Sequence, residues 1–231
     1  MLKYTIDKSQ TIIFESRTLY RIKALRDFAD VTKGDYGGYI QNYRNLSQDG
    51  TCWIYDDAKV LDKGSVSQSA TVYHNAIVRD YAKIERTALI EDNAVISQHA
   101  IITGLANICN NAQIKGNSLI MDSALINGDA IIDGDNVTIY GRTILSSNSH
   151  ISKNSDYITI NGLNGKAMTY YFANDYWCVD SFYIAEHFYG TTTELLLAID
   201  SSSVNDKTDY IPFITFAQSL RKKLTHEKIR T

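Results

Sequence analysis

The chain has 231 residues, 44% of them apolar and 21% charged, with a formal charge of −3. That balance describes an ordinary folded chain, long enough for one elongated body with small appendages. Nine basic residues face thirteen acidic ones between positions 37 and 160, which supports neither a nucleic-acid-binding stripe nor an acidic mimic of DNA. No secretory apolar region follows Met1, and the longest aliphatic run, Leu195 to Ile199, is too short to span a bilayer. A cytoplasmic protein without a membrane partner is therefore expected. Cys52, Cys109 and Cys178 are odd in number and far apart, so neither a disulfide framework nor a zinc site is expected.

Residues 1–36 read as a β cap, with short strands in TIIFES and LYRIKAL. Gly34, Gly37 and Gly38 follow as candidates for tight turns where the chain swings into what comes next. From Ala58 to Ile132 a small residue recurs at every sixth position, and two residues after each stands Val or Ile. The first slots are Ala58 with Val60, Gly64 with Val66 and Ala70 with Val72; the last is Ala130 with Ile132. A period of six fits neither a helix nor a plain strand, but it does fit a two-residue strand and a turn. Three hexads make a triangular coil, and coils stack at about 4.8 Å to bury a column of aliphatics.

Asp57, Asn75, Asn93, Asn111 and Asp129 recur at eighteen-residue intervals, one per coil. Asn and Asp tolerate left-handed backbone angles, so this ladder reads as turn chemistry at one corner. One extra residue shifts the phase near Asp133 to Asn136, after which the pattern continues to about Ile160. The fold class expected is mainly β: a left-handed parallel β-helix of six to seven triangular coils over 37–162. An N-terminal β cap precedes it, and a small α+β tail over 163–231 follows.

Asn161 to Lys166 is turn-rich, and the aromatic segments beyond it suggest a hairpin of two or three strands. Thr191 and Glu194 form a capping-box pattern ahead of Leu195. A second helix is expected from Asp209, with Ile214, Ala217, Leu220 and Leu224 on one face.

The repeat resembles the hexapeptide pattern of left-handed parallel β-helix proteins, a superfamily with many trimeric acyltransferases. Leu19 to Val60 is similar to the entry segment of an uncharacterised bacterial and prophage group of hexapeptide transferases. That resemblance implies a histidine near a coil corner as general base, with acetyl- or acyl-coenzyme A in a groove between subunits. His99, before Ala100 and in a column with Tyr81 and Asn117, is the first candidate, and His74 the second; His150 stands near the end of the repeat.

No loop interrupts the hexads between 58 and 132, and no Gly-rich or basic site for phosphates stands out, which favours a binding protein over an enzyme. That reading uses the outward apolar slots Ile101, Leu119 and Met121, then Leu89, Leu125 and Tyr73, together with Trp177 in the tail. The expected partners are a second or third copy of the chain and a host or phage protein, for instance a defence component. No cofactor is expected on that reading. The alternative is an acyl-coenzyme A-dependent transferase with an intersubunit site.

Overall fold

The computed structural model describes residues 2–163, 166–173, 176–181 and 188–191, and positions 194, 195, 197, 215 and 219. The chain divides into two compact units, residues 1–154 and 155–231. The first is a parallel β-solenoid of about six turns.

Three longer strands open it: β1 (Tyr4–Phe14), β2 (Arg17–Ala24) and β3 (Tyr36–Ile40). Seventeen two-residue strands follow among the described residues, β4 to β20, from Trp53–Ile54 to His150–Ile151. They build three parallel sheets in which each strand pairs with those one coil before and after, as Val95 does with Ile77 and Gln113. In each strand the second residue is buried, and the first is at least partly exposed except in Trp53–Ile54 and Ile144–Leu145, where both are buried. The small slots and their aliphatic partners are sealed from solvent throughout, for example Ala94 with Ile96 and Ala100 with Ile102. The extra residue near Asp133 is real: Leu119 pairs with Thr138 and Ile131 with His150, nineteen positions apart instead of eighteen.

The corner chemistry differs from the expectation by one residue. The left-handed angle falls on the position before the Asn/Asp ladder: Asp56 (φ 51°), His74 (58°), Asp92 (59°) and Asn110 (57°). The amide N–H of such a residue finds no backbone partner in the stack. Instead it donates to the side chain of its counterpart one coil earlier. His74 N–H donates to Asp56 Oδ2 at 3.1 Å, Asn110 N–H to Asp92 Oδ2 at 2.9 Å, and Arg86 N–H to Gln68 Oε1 at 2.7 Å. Asp, His, Asn and Gln at that slot supply the acceptor that the next coil's N–H lacks in the backbone.

The residues of the expected turn ladder do another job. Asn75 Nδ2 donates to Asn93 Oδ1 (3.4 Å), Asn93 Nδ2 to Asn111 Oδ1 (3.2 Å), and Asn111 Nδ2 to Asp129 Oδ1 (2.9 Å). The result is an amide ladder that ties successive coils together, with positive φ at the neighbouring slot rather than here.

The N-terminal strands are continuous with one face of the solenoid. β1 pairs with β2, β2 with β3, and β3 runs parallel to Lys59–Val60. Three residues of β1, Lys8 to Gln10, bulge out between Asp7 and Thr11, where Ser9 donates twice to Asp7 Oδ1. The hairpin tip is tied to the coils through Arg17 Nε with Asp62 Oδ1 (2.6 Å) and Arg79 Nη1 with Glu15 (3.0 Å). Gly37 and Gly38 are not turn glycines. They lie inside β3, and a Cβ there would stand 2.7 Å from the Trp53 ring and 2.5 Å from Ala58 O respectively. Glycine is required by close approach.

The second unit is an antiparallel sheet of β21 (Tyr157–Leu163), β22 (Lys166–Ala173), β23 (Tyr176–Ser181) and β24 (Phe188–Thr191). Its first strand comes from residues that the repeat pattern assigned to the prism, and Asn161 to Leu163, expected in a turn, are the end of that strand, with Lys166 the start of the next. Tyr157–Ile160 fits a hexad poorly, and it finds regular antiparallel partners in Met168–Tyr171. Tyr171 is fully buried, and its hydroxyl donates to the buried Asp180 at 3.3 Å. The capping box forms: Glu194 N–H donates to Thr191 Oγ1 (3.3 Å), while Thr191 N–H donates to Glu194 Oε2 (2.7 Å). Those bonds hold the Glu194 carboxyl below its usual range. The apolar stripe expected at Ile214, Ala217, Leu220 and Leu224 lies outside the described residues. No helix among the described residues is long and apolar enough to cross a membrane.

Candidate functional site

The three histidines of the repeat occupy different chemical settings. His74 sits in the left-handed slot, and its Nδ1 lies 3.3 Å from the Asp92 backbone N, from which it accepts a hydrogen bond. The Asp92 carboxylate stands at the same distance from that nitrogen. In this column Asp56, Asp92 and Asn110 play the same acceptor role, so His74 fills a corner position that other residue types also fill.

His99 follows the left-handed Gln98 and stacks on Tyr81, with centroids 4.7 Å apart and planes 10° apart. Lys63 Nζ lies over the same Tyr81 ring and donates to its hydroxyl at 3.1 Å. Among the described residues no carboxylate or carbonyl orients the His99 imidazole. The column sharing expected from the sequence is present; a base-orienting group is not.

His150 is paired with a carboxylate through its ring. Its Nε2 is 2.8 Å from Asp133 Oδ1, and Lys115 Nζ is 3.8 Å from the other carboxylate oxygen. His150 is on the outer face of β20 beside Ile131, and Asp133 is two residues beyond Ile131. With the carboxylate accepting from Nε2–H, the neutral ring carries its lone pair on Nδ1. His150 is 59% exposed and Asp133 25% exposed, so the dyad is open to a substrate while its carboxylate is half-sheltered. Spacing hid this pair, because the residues are seventeen apart and no eighteen-residue column joins them. The inserted residue near Asp133 brings them side by side.

Other polar groups fit less well. The Cys109 thiol is pushed up to about 11 by burial and by the carboxylates of Asp92 and Glu91, which makes it a poor nucleophile near neutrality. Among the described residues no group of three or more His, Cys, Asp or Glu could hold a metal ion.

The apolar slots singled out from the sequence are half-buried. Ile101 is directly beside Leu119, with Met121 two residues on. Leu89, Asn107 and Leu125 form one row. Tyr73 is not in that row, whose member there is Thr71; its ring instead stacks on Tyr55 at 4.1 Å. Trp177 is opposite Phe172 in the second unit's sheet, and its side chain lies outside the described residues.

No protein-family model matches the chain. A 48-residue stretch is 44% identical to a protein described as an uncharacterized acetyltransferase, YdcK of Escherichia coli strain K12. The match takes in 21% of this chain and 15% of that protein.

Proposed function

We propose that the protein is an acyltransferase that uses a coenzyme A thioester, with His150 as general base and Asp133 holding its imidazole. The observation that carries this reading is the 2.8 Å contact between His150 and Asp133 on an open face of the solenoid. Nδ1 takes a proton from an acceptor hydroxyl or amine as it attacks the thioester carbonyl, and the carboxylate stabilises the imidazolium. As the tetrahedral adduct collapses, the C–S bond breaks and the imidazolium returns the proton to the departing coenzyme A thiolate. Lys115 restrains the carboxylate from its far side. The partial likeness to an acetyltransferase supports the reaction class.

The test is release of free thiol from acetyl-coenzyme A in the presence of a panel of amines and sugars. His150→Ala and Asp133→Asn are expected to lower the rate by about 10²- to 10⁴-fold at unchanged melting temperature. His99→Ala and His74→Asn are expected to leave it unchanged. If acetyl-coenzyme A neither reacts nor raises the melting temperature, the reading fails. A binding role for the outer faces is the second reading, supported by the row Ile101, Leu119 and Met121. Its occupant would be another copy of the chain or a foreign protein.

A further inference from the structure

A second polar pair, buried, joins the N-terminal arm to the first coil. Lys3 is fully buried, as is Cys52, and Lys3 Nζ is 3.2 Å from Cys52 Sγ. Nζ also donates to Cys52 O at 2.8 Å and to Asp49 O at 3.4 Å, with the Phe28 ring on another side. No carboxylate hydrogen-bonds this amine among the described residues. Those contacts fit a neutral amine as well as an ammonium, with two N–H groups going to two carbonyls. The nitrogen lone pair, 3.2 Å from Sγ, is a nearer acceptor for the thiol proton than Ser47 O at 3.6 Å or Asp49 O and Val66 O at 3.7 Å. Burial pulls the Lys3 amine below the usual lysine range and pushes the Cys52 thiol above its own, and both shifts favour that neutral pair.

We propose that Lys3 and Cys52 are an oxidatively closed cross-link site, a covalent latch between the N-terminal arm and the first coil, with a peroxide as oxidant. Lys3 Nζ takes the thiol proton, and the thiolate attacks one peroxide oxygen. The O–O bond breaks, and the departing hydroxide takes the proton back from Nζ and leaves as water. Sulfur has lost two electrons and is now a sulfenic acid, while the peroxide has been reduced. The neutral amine at contact distance then attacks sulfur and displaces hydroxide, which takes an N–H proton and leaves as a second water. An S–N bond joins the two side chains. In sum, thiol, amine and hydrogen peroxide give a sulfenamide and two waters. A thiol reductant reverses it. The oxidant has a short path, since the neighbouring Leu2 is 56% exposed.

The test treats the full-length protein with hydrogen peroxide, digests it without reductant and maps the products by mass spectrometry. The expected product is a Lys3–Cys52 linked peptide that lacks two hydrogens and carries no added oxygen, and that is lost on treatment with dithiothreitol. Lys3→Arg is expected to lose the link and to accumulate oxygenated Cys52. Oxidised wild type is expected to resist digestion of residues 1–25 more than reduced protein. The proposal is overturned if peroxide leaves Cys52 intact, or carries it to sulfinic acid with the Lys3 amine free. Both readouts use wild-type protein, so a variant that fails to fold does not blunt the test.

Discussion

The middle of the solenoid and its first coil have the same architecture but are built on opposite principles. Between residues 58 and 132 every coil meets a near-copy of itself, so one solution, a small residue and a β-branched one, serves each time. The first coil has coils on one side only. On its other side are the hairpin and an aromatic cluster, with Trp53 packed edge-on against Phe28 (5.3 Å) and Tyr4 (6.1 Å). Repetition makes residues interchangeable, whereas an end demands particular ones.

Substitutions can sharpen that contrast. Trp53→Ala should have the largest effect, about 3–5 kcal/mol by denaturant unfolding, because Trp53 is fully buried and packs on both Phe28 and Tyr4. Ile96→Ala in mid-stack should cost about 2–5 kcal/mol, whereas Val95→Ala on the outer face should cost less than about 1 kcal/mol. Equal costs at 95 and 96 would contradict the inward and outward assignment.

Glycine to alanine tests the same difference by size. At Gly37 a methyl meets Ile54 O at 2.5 Å as well as the Trp53 ring, so Gly37→Ala should cost about 1–3 kcal/mol. Gly64 occupies a slot that alanine fills one coil later at Ala82, but a methyl would stand 3.0 Å from Leu61 O and Val78 O, so Gly64→Ala should stay within about 1 kcal/mol of the parent protein. Thermal unfolding of both proteins decides it.

His74→Ala should cost about 1 kcal/mol through the lost acceptor for the Asp92 N–H, and His74→Asn should restore most of it. Restoration would mark the residue as structural and remove it from any catalytic account.

The smallest effect lies in the second unit. The folded Glu194 carboxyl ionises below the ordinary value of 4.5, so between the two values the unfolded state binds more protons. Its contribution to the helix start is complete above that ordinary value and is lost as the pH falls through the folded one. Amide-exchange protection at Glu194 should show this acid-side loss, and Glu194→Gln should abolish it.

The pattern of small and aliphatic slots was legible because burial repeats in register. So was the phase slip, and so was the capping box at Thr191 and Glu194, a purely local signal. The Asn/Asp ladder was visible as a column, but its role was misassigned by one residue. Asn at a corner suggests positive φ, whereas here the side-chain amides bond to one another and the strained slot next door takes Asp, His, Gln, Arg, Gly or Asn. His150 with Asp133 leaves no periodic trace in the sequence because the pairing depends on the very residue that breaks the period. Lys3 with Cys52 is 49 positions apart and follows no period at all. Contacts made once, across an end or an insertion, leave no repeated trace.

The bulge of β1 at Lys8 to Gln10 bears on how long such a particle can be. A stack of identical rungs has no intrinsic length, and an open terminal strand would accept the next chain as readily as it accepts its own neighbour. β1 is the outermost strand of its sheet, and its three looped-out residues place a lysine and an off-register backbone where a newcomer would have to dock. The hairpin is therefore a stop codon written in shape: it ends growth at one rung and keeps a fold that could be a fibre from becoming one.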